Sequence, residues 1–447
     1  MQNDLMSNDK DYIWHPYTQS KDSERFPPIL IERGRGMKLF DAEGNFYYDT
    51  IASWWCNVHG HNHPVIKKAI KKQLDALEHV LFAGFTHKPA IDLAQALCAL
   101  TPRNLSRVFF SDNGSTSVEV ALKMSLQYWR NRGMAGKTKF VSLDHAYHGD
   151  TFGAMSVSGK SLFNEAFSPL LFDVYKVASP YCYRCPLKKT FPSCRVACIQ
   201  FLERIFEQKH RQICGVILEP LVMAAGGMIV YPKEYVQKTA ALAKKYNAHL
   251  ILDEVATGFG RTGTMFACER AEVVSDFLCL SKGLTAGYLP LGVTLTTEEM
   301  YKAFRADYAA KKTFYHGHTY TANPLSCAAA LASLEIFRTE GTLKNLTPII
   351  SLFHSGLKRF RELPLVGDVR MLGLIGAFEL VRNKNTQEPF GATRRIGMEI
   401  YRKGLREHLI LRPLGDIIYF FLPLSVRERE LRYILRKAFQ IIAATKA

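Results

Sequence analysis

Two charged residues interrupt otherwise apolar stretches in the second half of the chain. Asp253 closes LILD, and Lys282 follows DFLCLS. Short apolar runs bounded by polar or glycine-rich turns (ATGFGRTG after the first, KGLTAGY after the second) predict two buried parallel strands. A carboxylate and an amine at the carboxyl ends of neighbouring strands stand where open α/β sheets bind ligands. The pair has a specific chemical use. A lysine amine forms a Schiff base with the aldehyde of pyridoxal phosphate, and a carboxylate keeps the pyridine nitrogen of that cofactor protonated.

Other stretches supply what such a cofactor needs around it. SRVFFSDNGSTSVEVALKMSLQYWR reads as a strand, a polar turn and a helix, a geometry that offers backbone N–H groups to a phosphate. Gly114 and Ser115 fall at the start of that helix. KFVSLDHAYHGDTFG is a further strand and turn, and Tyr147 lies just past the strand end, where a ring stacks on a flat ligand or packs the turn. CGVILEP is an apolar strand that ends in Glu219. Strand, helix and strand alternate from about residue 105 to 295, as a mainly parallel sheet with covering helices requires. The polar loop HGHTYTANP precedes a helix rich in Ser, Ala and Cys, a face suited to close helix packing or a subunit contact.

Before this region, PILIE, MKLFD and FYYDTI suit strands, with AEGN as a turn. The stretch SWWCNVHGHNHP is rich in Trp, His and Gly rather than aliphatic residues, which suits the lining of a site. After about Leu331 a long helix, strands and a final helix predict a smaller α+β domain. Arg412, in LILRPLG, stands between apolar runs at an expected strand end. It suits a carboxylate clamp, or pairing with the nearby Asp416. The fold class expected is α/β: a large domain over 64–330, with a smaller domain built from segments 1–63 and 331–447.

The 447 residues, 47% hydrophobic and 22% charged, suit a globular protein of two or three domains. No apolar run reaches the roughly 18–20 residues that span a bilayer. The polar first residues carry no secretory or transit pattern, so the expected location is cytosolic. The net charge of +17 is dispersed, without a nucleic-acid motif or long cluster, and predicts a solvated basic surface that binds neither nucleic acid nor membrane. Of ten cysteines, four cluster as Cys182, Cys185, Cys194 and Cys198. That spacing is open to two readings, a structural zinc site or free thiols in a surface insertion, of which we take the free thiols.

The DNGS turn, HAYHGDT, EP, LILDEVATGFGRTG, SKGLTAGYLPLG and HGHTYTANP together resemble the class III aminotransferases of fold type I along nearly the whole chain. The resemblance implies Lys282 as the cofactor lysine and proton shuttle and Asp253 as the pyridinium partner. It also implies Gly114 and Ser115 at the phosphate, Tyr147 over the ring, and Glu219 beside the cofactor. It implies a homodimer in which Gly317, His318 and Thr319 come from the neighbouring subunit, with Thr319 on the phosphate. Within the class, IWHPYTQ, SWWCNVHGHNHP and LRPLGDIIY resemble the biotin-pathway branch that aminates 8-amino-7-oxononanoate. Tyr17 and Trp54 would then line the substrate cavity, and Arg412 would hold the substrate carboxylate. The double Trp fits S-adenosylmethionine as amino donor. His318, where that branch often has proline, fits lysine. The other substrate class open to such a sequence is that of the ornithine or γ-aminobutyrate type.

Overall fold

The computed structural model describes residues 2–391 and 393–446. Its central sheet has seven strands, ordered along the sheet as Leu105–Ser111, Gly292–Thr297, Phe277–Leu280, His249–Asp253, Ile213–Leu218, Lys139–Leu143 and Tyr175–Val177. His249–Asp253 pairs in parallel with Phe277–Leu280 on one side and Ile213–Leu218 on the other. All three strands are buried throughout, as sheets covered on both faces require, and this explains their unbroken apolar sequences. One strand departs from the expected parallel pattern. Gly292–Thr297 runs antiparallel to both of its neighbours. Only a short helical turn separates it from Leu280, too little chain for a parallel crossover, so the chain returns in the opposite direction.

The helix Gly114–Asn131 covers this sheet. Its buried residues, among them Val118, Ala121, Leu122, Ser125 and Trp129, recur at helical spacing on one face. Asn113 begins it with a capping box. The Asn113 side chain accepts the Thr116 N–H at 3.1 Å, and Thr116 Oγ1 accepts the Asn113 N–H at 3.0 Å. A cap of this kind stabilises a helix by roughly 0.5–2 kcal/mol.

Two smaller sheets flank the centre. Ile31–Arg35, Lys38–Asp41 and Phe46–Tyr48 form one; Val366–Leu372, Ile375–Leu380, Ile417–Phe421 and Pro413–Leu414 form the other. The first strand begins at Ile31, inside PILIE, and runs on to Arg35; the third covers the first three residues of FYYDTI and stops at Tyr48. The N- and C-terminal segments meet directly. The Tyr48 N–H donates to His408 O at 2.8 Å, the Ile410 N–H donates to Tyr48 O at 3.1 Å, and Thr50 Oγ1 donates to Ile410 O at 2.6 Å. The small-residue helix, Pro324–Thr339, uses its Ser and Ala face within the chain. Ser326, Ala329, Ala330 and Ser333 are buried, and the helix packs on Pro64–Leu74 and Lys88–Leu100.

Candidate active site

Parallel pairing places three ionisable residues side by side at the carboxyl edge of the sheet. Leu252 stands opposite Leu218, and Asp253 opposite Cys279. The chain beyond Leu218 is Glu219, and two residues beyond Leu280 comes Lys282. All three side chains, with Gly114, Ser115, Tyr147 and His148, line one cavity of about 640 Å³.

The electrostatics of this edge follow from burial. Lys282 is partly buried, and desolvation lowers its amine below the usual lysine range against the opposing pull of Asp253 and Glu219. Its Nζ lies 5.2 Å from the Trp55 ring centroid. Burial, and then the charge of Asp253, pushes Glu219 up to about 8. Glu219 accepts the Tyr147 N–H at 3.0 Å and the Ala224 N–H at 2.8 Å, so it braces the turn that carries Tyr147. Asp253 is held on both oxygens. Oδ2 lies 2.7 Å from His148 Nδ1, and Oδ1 accepts the Val255 N–H at 3.0 Å.

The helix end beside them is close-fitting. A Cβ on Gly114 would stand 2.6 Å from Val255 Cγ1. Gly149 has φ +134°, and a Cβ there would stand 2.1 Å from Ser115 Oγ. These two glycines let the turn, the helix terminus and the loop after Asp253 converge on one point. A buried amine, a buried carboxylate, an aromatic ring and a helix N-terminus around one cavity fit pyridoxal phosphate group by group.

Tyr17, Trp54 and Arg412 lie outside the lining of this cavity: Tyr17 reaches it through Tyr147 and Asp150, and Tyr17 and Arg412 line a separate cavity. Tyr17 Oη donates to Asp150 Oδ2 at 2.5 Å and lies 3.5 Å from Tyr147 Oη. Burial and then Asp150 push the Tyr17 phenol up to about 12. The Tyr17 and Trp54 rings meet edge to face at 5.7 Å, and the Arg412 guanidinium lies over Trp54 at 4.7 Å. Arg412 does not take up Asp416 as an ion-pair partner; among the described residues it has none. Gly317, His318 and Thr319 lie outside the cavity lining of their own chain. His318 Nδ1 stands 3.5 Å from Asp112 Oδ2 at its rim.

Trp54 sits in an unusual backbone. Ala52, Ser53, Trp54 and Trp55 have φ of 48°, 46°, 81° and 77°. Non-glycine residues in the left-handed region cost roughly 1–2 kcal/mol each. Only the Trp- and His-rich composition of this stretch hints at such a turn. His148 was also missed as a site residue, although it lies in the same HAYHGD turn as Tyr147.

The clustered cysteines lie elsewhere. Cys182, Cys185, Cys194 and Cys198 line a small cavity with Tyr181 and Pro232, and all four are free. Burial pushes Cys182 and Cys198 up to about 11, and the neighbouring thiols add to the shift. Among the described residues no group of three or more His, Cys, Asp or Glu is set to hold a metal ion. Among the described residues no helix is long and apolar enough to cross a membrane.

Comparison with known proteins agrees with this geometry. Residues 18–442 match the family model for class-III aminotransferases. An adenosylmethionine-8-amino-7-oxononanoate aminotransferase of Geobacter sulfurreducens is 46% identical over 428 residues, 96% of this chain and 94% of its own. The crystal structure of the enzyme of the same name from Methanocaldococcus jannaschii superposes with a TM-score of 0.95 at 43% identity, covering 100% of both chains. An (S)-enantioselective omega-transaminase of Thermomicrobium roseum gives 0.94 at 32% identity, over 99% of this chain and 98% of its own. A helix N-terminus, a buried lysine and a pinned carboxylate thus occur in a chain that belongs to the class-III aminotransferases, enzymes dependent on pyridoxal phosphate.

Proposed function

We propose that the enzyme transfers an amino group to 8-amino-7-oxononanoate, giving 7,8-diaminononanoate, with S-adenosylmethionine as donor. The observation that carries this reading is Arg412. An unpaired guanidinium lies over Trp54 and lines, with Tyr17, a cavity that Tyr17 links to that of Lys282 and Asp253 through Tyr147 and Asp150. A long apolar substrate with a terminal carboxylate needs aromatic walls and a cation at its far end. The names of the full-length relatives support both the oxo substrate and the donor.

Pyridoxal phosphate, when bound, draws electron density from the carbon that bears the amino group. The chain does the rest. Asp253, steadied by His148 and the Val255 amide, holds a proton on the pyridine nitrogen. Lys282, its amine lowered by burial, would take the proton from the substrate carbon and return it on the other side of the transfer. Gly114 and Ser115 would hold the phosphate and Tyr147 would cover the ring, with Glu219 accepting the Tyr147 N–H. Tyr17 and Trp54 wall the substrate, and Arg412 takes its carboxylate. In a homodimer, Gly317, His318 and Thr319 reach the partner's site, with Thr319 on the phosphate. Segments 1–63 and 331–447 form a smaller domain around 64–330; the hydrogen bonds joining Tyr48 to His408 and Ile410 support that division.

The test mixes purified holoenzyme separately with S-adenosylmethionine and with lysine, follows the visible spectrum of the bound cofactor, and then adds 8-amino-7-oxononanoate. The expected result is bleaching by S-adenosylmethionine and formation of the diamine, identified by mass. Brisk amination of pyruvate or 2-oxoglutarate, with none of the oxononanoate, would overturn the reading.

A further inference from the structure

The left-handed turn Ala52–Trp55 needs something to hold it, because four consecutive non-glycine residues do not choose that conformation unaided. Its holder is Asp49, fully buried at 0% exposure. Asp49 Oδ1 accepts the Ser53 N–H at 2.9 Å, and Oδ2 accepts the Ser53 hydroxyl at 2.6 Å. Oδ2 also lies 2.9 Å from His61 Nε2. The far side of that ring fixes its tautomer. Asn57 Nδ2 donates to His61 Nδ1 at 2.8 Å, so Nε2 carries the hydrogen and donates to Asp49. Asn57 in turn abuts the cavity wall, since a Cβ on Gly287 would stand 2.2 Å from Asn57 Oδ1.

The far end of the turn is held separately. Arg261 Nη2 donates to Trp55 O at 3.0 Å, and Trp55 Nε1 donates to Tyr419 Oη at 3.2 Å. The turn therefore has two outputs. Trp54 meets Tyr17 and Arg412 on one side, and Trp55 faces the Lys282 amine on the other.

We infer that Asp49, acting with His61, is a positioning residue: it holds Ala52–Trp55 left-handed and so sets where Trp54 stands for the oxo substrate. Neither residue lines the cofactor cavity, so neither touches the reacting atoms. This inference rests on the proposed substrate wall. The two are separable because wild-type enzyme identifies the acceptor first. If it ignores 8-amino-7-oxononanoate, the substrate proposal alone fails, and the variants are compared on the oxo acceptor it does use.

The experiment compares holoenzyme carrying Asp49→Ala, Asp49→Asn and the triple change Asp49→Ala, Ala52→Gly, Ser53→Gly. Asp49→Ala is expected to raise the acceptor KM at least tenfold. kcat should stay within about threefold, and the visible absorbance of bound cofactor should be unchanged. Asn keeps one acceptor for Ser53 and should lie between. The triple variant should recover much of the KM, because glycine takes left-handed angles without help. A purely structural role would lower stability without this rescue. An unchanged KM in Asp49→Ala, a fall in kcat at constant KM, or no recovery by the glycines would each overturn the inference. If Asp49→Ala does not fold, His61→Ala decides: a raised acceptor KM supports the inference, and an unchanged one overturns it.

Discussion

His148, on the turn that follows Lys139–Leu143, and Asp253, the last residue of His249–Asp253, face each other inside the protein, Nδ1 to Oδ2 at 2.7 Å. The other oxygen of Asp253 is taken by the Val255 amide. The carboxylate therefore cannot rotate away from the cavity without breaking one of these bonds. A hydrogen bond to a charged group contributes roughly 1.5–3 kcal/mol. His148→Ala is expected to lower kcat about 10–100-fold, the range that energy implies, and to speed loss of cofactor on gel filtration. His148→Asn should recover part of both. Activity within twofold of wild type in His148→Ala would show that the carboxylate needs no such support.

Glu219 gives a pH signature. Its folded value of about 8 lies above the ordinary 4.5, because burial and Asp253 disfavour its charge. Between those values the folded state keeps a proton that the unfolded state has released. Stability from this group is therefore complete below pH 4.5 and declines as pH rises toward 8. In cofactor-free protein, the urea midpoint of the wild type should fall relative to that of Glu219→Gln between pH 5.5 and 8. Parallel midpoints across that range would rule the assignment out.

Much of this site is legible in the sequence because buried parallel strands are apolar and short, so Asp253, Glu219 and Lys282 stand out as charges at strand ends. The turn bearing Gly114 and Ser115 is equally visible, since its capping residues and its helical period lie next to each other. What escapes is long-range. Asp49 looks like an ordinary polar residue, and Asn57 and His61 belong to a stretch whose composition suits a site without showing what each residue bonds to. Only the folded chain shows that they share one hydrogen-bonded path to the Ala52–Trp55 turn. The reversal of Gly292–Thr297 escapes for a related reason: an apolar run announces a strand but not its direction.

Arg412 separates the two halves of the reaction. It lies over Trp54 and lines a separate cavity rather than that of Lys282. Arg412→Ala should raise the KM for the oxo acceptor about 10–100-fold, the loss expected for a charge-assisted hydrogen bond. The donor half-reaction, read as the rate of spectral change with donor alone, should be spared. Arg412→Lys should recover only part, because an ammonium cannot form two parallel bonds to a carboxylate. Equal losses in both half-reactions would contradict the clamp.

Gly114 tests the phosphate end by compensation. A methyl group there would sit 2.6 Å from Val255 Cγ1, nearer than carbon atoms pack, so the helix terminus must retreat or Val255 must move. Val255 follows Asp253 by two residues and donates its amide to that carboxylate, so either movement displaces the helix terminus or the carboxylate. Gly114→Ala should weaken cofactor binding about tenfold, on the order of 1–3 kcal/mol for overpacking, in a titration followed by absorbance. Adding Val255→Ala removes both γ-methyls that the new Cβ meets and should restore most of the affinity. If Gly114→Ala binds cofactor as the wild type does, or if Val255→Ala gives no recovery, the close approach of the helix terminus and this loop does not set the phosphate site.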